Sequence, residues 1–148
     1  MFWKEKKLHQ LSKEEWESLC DGCGKCCLHK LQDDASQKVF YTKVACKLLS
    51  IKERKCNDYQ NREKIVPDCL NLYGKDLDNI TWLPKTCSYR LINENKDLPE
   101  WHPLISGNRN LISELKKSVS HFAVSESTLP LSMIENELEQ YLLSENIC

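Results

Sequence analysis

Glycine and proline are scarce in this 148-residue chain, with four and five residues, and neither sign of charge predominates. With 21 Lys and Arg against 22 Asp and Glu, the net charge of −1 argues against a nucleic-acid-binding protein, which would carry a basic excess. No apolar run approaches the roughly 18 residues that a membrane span requires. Lys4 follows directly after Phe2 and Trp3, so the apolar region of a secretory signal is missing as well. We therefore expect a cytoplasmic protein that binds neither nucleic acid nor membrane.

Cysteine is the residue that the chain has in excess, with nine copies. Cytosolic thiols are kept reduced, and a cysteine-rich cytosolic protein more often binds metal or performs redox chemistry than forms structural disulfides. We interpret the cysteines first as ligands of a metal ion or cluster. Redox thiols without metal are the second interpretation, and disulfides or plain buried cysteines are the third.

Local patterns predict short helices and few strands. Ser12 can form a capping box with Glu15, which predicts a short helix that leads into Cys20. The β-branched and aromatic run 39–44 predicts a strand, and the alternation over 118–124 predicts another.

Two prolines predict further short helices. Pro67 and Pro84 each suit the first position of a helix, and these helices would carry Cys69 and Cys87 near their N-termini. Exposed backbone N–H groups and the helix dipole favour a thiolate at such a position, and with it metal binding.

The last segment has the pattern of an amphipathic helix. After Pro130, apolar residues recur at spacings of three and four, with glutamates between them: Leu131, Ile134, Leu138 and Leu142. The chain contains no repeat and no flexible linker. We predict an α+β fold, a small irregular domain over residues 1–126 organised around Cys-ligated metal sites, with an amphipathic helix over 127–148 packed on it.

Four cysteines stand within eight residues at Cys20, Cys23, Cys26 and Cys27, and we call residues 20–27 the ligand loop. Gly22 and Gly24 lie in it where tight turns favour positive φ. Cys-x-x-Cys spacing lets two thiolates converge on one ion, with backbone N–H groups pointing at the sulfurs. The cysteine–proline pair that ends a bacterial ferredoxin motif is absent, and so is the second Cys-x-x-Cys of a zinc ribbon.

Adjacent Cys26 and Cys27 are expected to project in different directions. One of them would then complete a site with Cys20 and Cys23, and the other would point to a second site or to a polynuclear centre. Four more cysteines stand singly downstream, at Cys46, Cys56, Cys69 and Cys87. Eight sulfurs suffice for two four-sulfur sites. Cys148 is the last residue, where chain ends fray, and we do not count it as a ligand.

Several blocks of the sequence resemble the bacterial YcgN-like proteins of the CxxCxxCC family of zinc- or iron-chelating domains. The blocks occur in the family order and cover residues 20–31, 44–46, 67–69, 82–91 and 97–104. The resemblance implies a small cytoplasmic protein that binds zinc or iron through eight cysteines: Cys20, Cys23, Cys26, Cys27, Cys46, Cys56, Cys69 and Cys87. It implies no particular activity.

Histidines and lysines near the cysteines are the other candidates. His29 could complete a Cys₃His site, although a hydrogen bond to a ligand is the more usual role. We interpret His102 as a structural loop residue and His121 as a core residue on a strand, each with a smaller chance of ligating. Lys25 and Lys30 are expected to balance the charge of the thiolates.

Three functions follow from these interpretations. The first is chelation of zinc or iron in a structural or metal-handling role, and the second is an iron–sulfur protein for electron transfer or as an enzyme accessory. The third is a thiol-redox switch. The sequence has no nucleophile–base motif, no phosphate-binding glycine loop and no His-Glu-x-x-His, so we assign no catalytic residue and expect no enzyme. The expected partner is a metal ion.

Overall fold

The computed structural model describes residues 1–144, so Cys148 and the end of the predicted C-terminal helix lie outside the described residues. Within this range the chain forms an α+β fold of seven α-helices and five strands, as predicted. The helices have four to six residues each and are α1 Phe2–Glu5, α2 Lys13–Ser18, α3 Arg62–Ile65, α4 Ser88–Asn93, α5 Pro103–Ser106, α6 Leu111–Glu114 and α7 Leu131–Asn136. In this part of the chain no helix has the length and hydropathy that crossing a bilayer requires.

The strands form two small sheets. They are β1 Leu28–Gln32, β2 Val39–Ala45, β3 Leu49–Ser50, β4 Lys55–Cys56 and β5 Val124–Ser125. β2 lies at the centre of the first sheet, antiparallel to β1 and parallel to β5, and β3 pairs with β4 in a separate hairpin. The predicted strand over 39–44 is therefore confirmed. The remaining described segments are turns and 3₁₀ helices, among them Lys25–Cys27 and Val119–His121.

The capping box predicted at Ser12 starts α2. Ser12 Oγ accepts a hydrogen bond from the Glu15 backbone N–H at 3.1 Å, and Glu15 Oε2 accepts one from the Ser12 N–H at 2.9 Å. These bonds satisfy N–H groups that have no partner within the helix. α2 buries Trp16, and Leu19 at its end is fully buried. The sequence pattern and the structure therefore agree on the helix that leads into the ligand loop.

Two hydrophobic clusters divide the buried side chains. Cluster 1 packs the helices together and contains Trp3, Leu11, Trp16, Leu19, Leu77, Leu83, Tyr89, Ile92 and Leu98. Cluster 2 lies on the first sheet and contains Leu28, Tyr41, Ala45, Leu49 and Val119. Leu19 precedes the ligand loop and Leu28 follows it. The ligand loop therefore connects the two clusters.

The predicted helix at Pro67 is wrong. α3 ends at Ile65, and Val66 is extended with φ −124° and ψ 92°. A residue before proline is driven out of the helical region by contact with the proline ring, so Pro67 ends the helix instead of beginning one. Cys69 lies after this turn and donates its N–H to the Val66 carbonyl at 2.9 Å.

The predicted helix at Pro84 begins later than expected. Pro84 lies in a turn, in which the Pro84 carbonyl accepts the Cys87 N–H at 2.9 Å. α4 starts at Ser88, with Cys87 as its N-cap. Cys87 is therefore at a helix N-terminus, as predicted, but Pro84 is not the first helical residue.

The predicted strand over 118–124 is also wrong. Val119 donates its N–H to the Cys23 carbonyl at 2.9 Å and begins a 3₁₀ turn, with Ser118 Oγ as the side-chain cap. Only Val124 of the predicted range is in a strand. The alternation of apolar residues fits a strand locally, but the long-range bond to Cys23 holds this segment in a turn.

The C-terminal segment does not form one continuous helix. α7 ends at Asn136, Glu137 has φ −134°, and a 3₁₀ helix follows over Leu138–Tyr141. Leu131 is 68% exposed. The segment reaches the first sheet through the Leu143 N–H, which donates to the Tyr41 carbonyl at 2.9 Å. The boundary at residue 126 stays a prediction.

Gly24 offers a test of how the ligand loop packs on cluster 2. It has φ +77°, and a Cβ atom there would lie 2.6 Å from Cγ2 of Val119. We expect Gly24→Ala to lower the free energy of unfolding by about 2–4 kcal/mol, through the left-handed backbone and the overlap together. Gly74→Ala is the control, because Gly74 has φ +74° but open space around it. It should cost about 1 kcal/mol. Urea denaturation of the metal-free variants measures both, and equal losses would contradict the role of Val119.

Candidate metal centre

His102 fixes the point where the ligand loop begins. Its side chain is fully buried, its Nδ1 accepts the Leu104 N–H at 3.0 Å, and its Nε2 lies 2.8 Å from the Leu19 carbonyl oxygen. Since Nδ1 accepts, Nε2 carries the proton and donates a hydrogen bond to the Leu19 carbonyl. Burial lowers the pKa of His102, which keeps the ring neutral. The predicted structural role of His102 is confirmed.

Backbone N–H groups bend the ligand loop around its sulfurs. Asp21 Oδ1 accepts the Cys23 N–H at 3.0 Å, and the Lys25 N–H points at Cys23 Sγ from 3.5 Å. Gly22 and Gly24 have φ of +74° and +77°, as the predicted tight turn requires. The Lys25 N–H at this sulfur lowers the pKa of Cys23 and so offsets part of the rise that burial causes.

Cys26 and Cys27 do not project in different directions, and that expectation is wrong. Their Sγ atoms lie 4.0 Å apart. The 3₁₀ turn over Lys25–Cys27 brings consecutive side chains to one side of the backbone, which an extended backbone would not do.

This contact makes Cys26 the most acidic thiol of the ligand loop. The hydrogen bond from Cys27 and the positive charge of Lys30 lower the pKa of Cys26 to about 7. The same bond and burial raise the pKa of Cys27. Lys30 Nζ is held in place by the carbonyls of Cys26 and Leu28 at 2.9 and 2.6 Å. The predicted charge-balancing role of Lys30 is confirmed.

The other two loop thiols favour the protonated form. Packing of protein around the sulfurs raises the pKa of Cys20 and of Cys23, although Cys20 keeps an exposed surface. The carboxylate of Asp21 and the sulfur of Cys26 add to both shifts. Asp21 itself is only 5% exposed. A divalent cation among these sulfurs would remove the electrostatic cost of ionising them.

Cys87 comes to the ligand loop from α4. The Tyr89 hydroxyl donates to the Trp16 carbonyl at 2.9 Å, and the two rings pack with centroids 4.6 Å apart and planes tilted by 31°. Burial raises the pKa of Cys87 to about 11, the Arg90 N–H offsets part of this rise, and the charge of Cys26 adds to it. Sequence reasoning predicted Cys87 as a ligand but not which cysteines it approaches.

Cys46, Cys56 and Cys69 lie in the chain between the ligand loop and α4. Cys46 donates its N–H to the Cys27 carbonyl at 2.8 Å, and Cys56 pairs with Leu49 in the β3–β4 hairpin. Burial raises the pKa of Cys46 and of Cys69. Smaller contributions come from Cys56 in both cases, and from Cys46 in the case of Cys69.

The eight cysteines of residues 1–144 are all free thiols. In the same range, no three Cys, His, Asp or Glu side chains are already placed to hold one metal ion together. Binding of an ion by three or more of these side chains would therefore require them to move closer together. The predicted ligand set and the predicted organisation of the fold around metal stay predictions.

Of the three remaining histidines, His29 pairs with a carboxylate, and His9 and His121 are exposed. His29 Nε2 pairs with Glu126 Oε2, and Glu126 Oε1 accepts the Lys47 N–H at 3.1 Å. This nitrogen of His29 is therefore held by a carboxylate. His121 is exposed on the 3₁₀ turn and packs edge-on against Phe122, so its prediction as a core residue on a strand is wrong.

Sequence reasoning missed Arg54. Its Nη2 donates to the Arg109 carbonyl at 3.2 Å, while Nε and Nη1 are buried without a hydrogen-bond partner among residues 1–144. A Cβ atom on Gly22 would lie 3.9 Å from Nη1, so this guanidinium borders the ligand loop. No local signal marks Arg54, because the β3–β4 hairpin brings it to the loop from a distant part of the sequence.

Comparison with known proteins gives a consistent result. The CxxCxxCC family model, described as "Putative zinc- or iron-chelating domain", matches residues 19–88, which hold all eight predicted ligands. A UPF0260 protein of Pseudomonas savastanoi pv. phaseolicola is 49% identical over 142 residues, or 96% of this chain and 93% of the relative. A UPF0260 protein of Pectobacterium carotovorum is 48% identical over 126 residues, 85% of each chain. No solved structure matches the chain.

The acidity of Cys26 can be tested by alkylation of the reduced, metal-free protein. At pH 7 we expect iodoacetamide to label Cys26 first, with a half-maximal rate near pH 7, because its pKa is about 7. Cys27→Ala removes the hydrogen bond and should slow labelling of Cys26 at pH 7 roughly fivefold, since higher nucleophilicity offsets part of the lost thiolate. Cys69→Ala is the control and should leave the rate unchanged. Peptide mass spectrometry reads the label, and equal labelling of all loop cysteines would contradict the prediction.

Proposed function

Because the chain belongs to the UPF0260 protein family and contains its CxxCxxCC domain, we propose that it chelates zinc or iron through its cysteine thiolates. The ligand loop supplies Cys20, Cys23, Cys26 and Cys27, and the downstream chain supplies Cys46, Cys56, Cys69 and Cys87. Zinc and iron ions both bind thiolate sulfur well. The observation that carries the proposal is the approach of thiols to one another at the ligand loop, where the sulfurs of Cys26 and Cys27 lie 4.0 Å apart.

The chemistry of the ligand loop fits a cation. Thiols that are packed among other sulfurs and beside a buried carboxylate are poor acids, and a metal ion would supply the positive charge that ionises them. Cys26, with its pKa of about 7, is already partly ionised at neutral pH and would contact an arriving ion first. Its exposed surface leaves it accessible from solvent.

The positively charged side chain of Arg54 also supports the proposal. Two of its buried guanidinium nitrogens have no acceptor among the described residues, and buried donors without partners are costly. A thiolate centre in the ligand loop would carry excess negative charge and offer sulfur acceptors. Hydrogen bonds from Arg54 would then stabilise the loaded centre, in the way that groups around metal ligands commonly do.

The proposal includes a reducing compartment and a structural or metal-handling role. Eight free thiols remain available as ligands only where disulfides do not form, as in the cytosol. The predicted ligands Cys87 and Cys27 pack against cluster 1 and cluster 2. Ions bound by the predicted ligands would therefore stabilise the packing of both clusters. Binding energy at such a centre is folding energy too.

Metal content of the purified protein is the direct test. Untagged protein prepared without oxygen should contain zinc or iron at one or more ions per chain, measured by elemental analysis. Protein without metal that also fails to bind added zinc or ferrous ion would contradict the proposal. Brown protein with acid-labile sulfide would replace ion chelation by an iron–sulfur cluster on the same cysteines.

Removal of a loop thiol should remove bound metal. Cys23→Ala deletes one ligand of the loop, so we expect loss of the ion bound there and a lower melting temperature of the purified protein. Cys148→Ala is the matched control, because Cys148 is not among the eight predicted ligands, and it should keep full metal content. Elemental analysis and a thermal melt measure the two effects. Full metal content in Cys23→Ala would contradict ligation by the loop.

Arg54 should affect metal affinity without being a ligand. We expect Arg54→Met to weaken zinc binding about tenfold, because the hydrogen bonds to the thiolates and the compensating charge are lost. Lys52→Met removes an exposed positive charge from the same hairpin and should change affinity little. Competition with a chromophoric chelator measures both variants. Equal effects of the two substitutions would show that only net charge matters.

A further inference from the structure

We propose that the eight cysteines form two four-thiolate groups, which take one metal ion each and meet where Cys26 contacts Cys27. The inner group is Cys20, Cys23, Cys26 and Cys87, and the outer group is Cys27, Cys46, Cys56 and Cys69. This assignment rests on the proposed metal binding and adds which thiolates share an ion. It is not apparent from the spacing, since Cys87 joins the ligand loop across 60 residues.

The inner group is assembled by cluster 1. Cys20 directly follows Leu19 of that cluster, and Cys87 packs against the same cluster. The Tyr89 hydroxyl bond to the Trp16 carbonyl holds the start of α4 next to the end of α2, and so brings Cys87 to Cys20. Within the inner group, the charge of Cys26 raises the pKa of Cys20 and of Cys23, and Cys87 also raises that of Cys20.

The outer group is assembled by cluster 2. Cys27 packs against that cluster, and its carbonyl accepts the Cys46 N–H at 2.8 Å. The Cys46 carbonyl accepts the Leu49 N–H at 2.9 Å, and Leu49 lies opposite Cys56 in the β3–β4 hairpin. These bonds give a continuous path from Cys27 through Cys46 to Cys56.

Cys69 is the fourth member of the outer group. It lies after the turn at Pro67. Among the cysteines, Cys46 raises the pKa of Cys69 most, followed by Cys56 and Cys26. Cys69 is the thiol that remains once the other seven are assigned, and the effect of Cys46 and Cys56 on its pKa agrees with the outer group. Each group then has four sulfurs, which is the number that a closed tetrahedral site requires.

The boundary between the groups is the Cys26–Cys27 peptide bond. The two sulfurs are 4.0 Å apart, so the two ions would be close neighbours, each with its own four ligands. The two residues also differ in their backbone partners: the Cys27 carbonyl accepts the Cys46 N–H at 2.8 Å, whereas the Cys26 carbonyl accepts a hydrogen bond from Lys30 Nζ at 2.9 Å.

Single and double substitutions in the full chain test which cysteines bind the same ion. Cobalt(II) titration of the metal-free protein, followed by the thiolate-to-metal charge-transfer band, should give two equivalents for the wild type and one for Cys20→Ser, Cys87→Ser or Cys56→Ser. The Cys20→Ser/Cys87→Ser protein should still bind one, because both changes disable the inner group. The Cys56→Ser/Cys87→Ser protein should bind none.

Other stoichiometries would overturn the assignment. Loss of all cobalt in a single variant would indicate one polynuclear centre. Loss of all cobalt in Cys20→Ser/Cys87→Ser would show that Cys20 and Cys87 do not share an ion. Retention of one equivalent in Cys56→Ser/Cys87→Ser would show that Cys56 and Cys87 do. Absence of cobalt and zinc binding by the wild type would instead refute the proposed function, so the two failures are distinguishable.

A labelling experiment tests the grouping without disabling either group. Cys148→Ser protein with one equivalent of zinc is alkylated, and molecules with four labels are selected by intact mass and fragmented. The protected set in each molecule should be the inner four or the outer four cysteines. Mixed sets, such as Cys20 protected together with Cys56, would overturn the proposal even if the substitutions above prevented folding.

Discussion

The ligand loop is the constraint on which the rest of this structure depends. Eight residues with four cysteines join Leu19 of cluster 1 to Leu28 of cluster 2, so both cores are anchored at its ends. The helices are four to six residues long, and short helices have little stability of their own. Contacts that return to the loop, from His102 to Leu19 and from Val119 to Cys23, therefore organise distant segments around it.

Charge around the ligand loop explains why particular residues surround it. Thiols that are packed together with Asp21 resist ionisation, and only Cys26, next to Cys27 and Lys30, has a lowered pKa. A four-thiolate zinc site carries about −2, so two such sites would change the net charge of −1 to about −5. Lys30 and Arg54 stand where part of that negative charge would form.

Features set by neighbouring residues could be predicted from the sequence, and features set by distant contacts could not. The capping box at Ser12, the strand 39–44 and the turn glycines Gly22 and Gly24 are local, and they are confirmed. The strand predicted over 118–124 is wrong because the bond from Val119 to Cys23 determines that backbone. The helix predicted at Pro67 is wrong for a local reason that was misjudged, since the same proline constrains Val66 before it.

The candidate site divides in the same way. Residue type and spacing identify the cysteines as candidate ligands, because thiolate chemistry is a property of the side chain. Which sulfurs meet depends on tertiary contacts such as Tyr89 with Trp16, and the backbone of one turn decides that Cys26 and Cys27 face the same side. Arg54 could not be identified from the sequence, because nothing distinguishes it there from the other arginines. The β3–β4 hairpin brings it next to the ligand loop. Which cysteines approach one another thus depends on the packing of the two hydrophobic clusters.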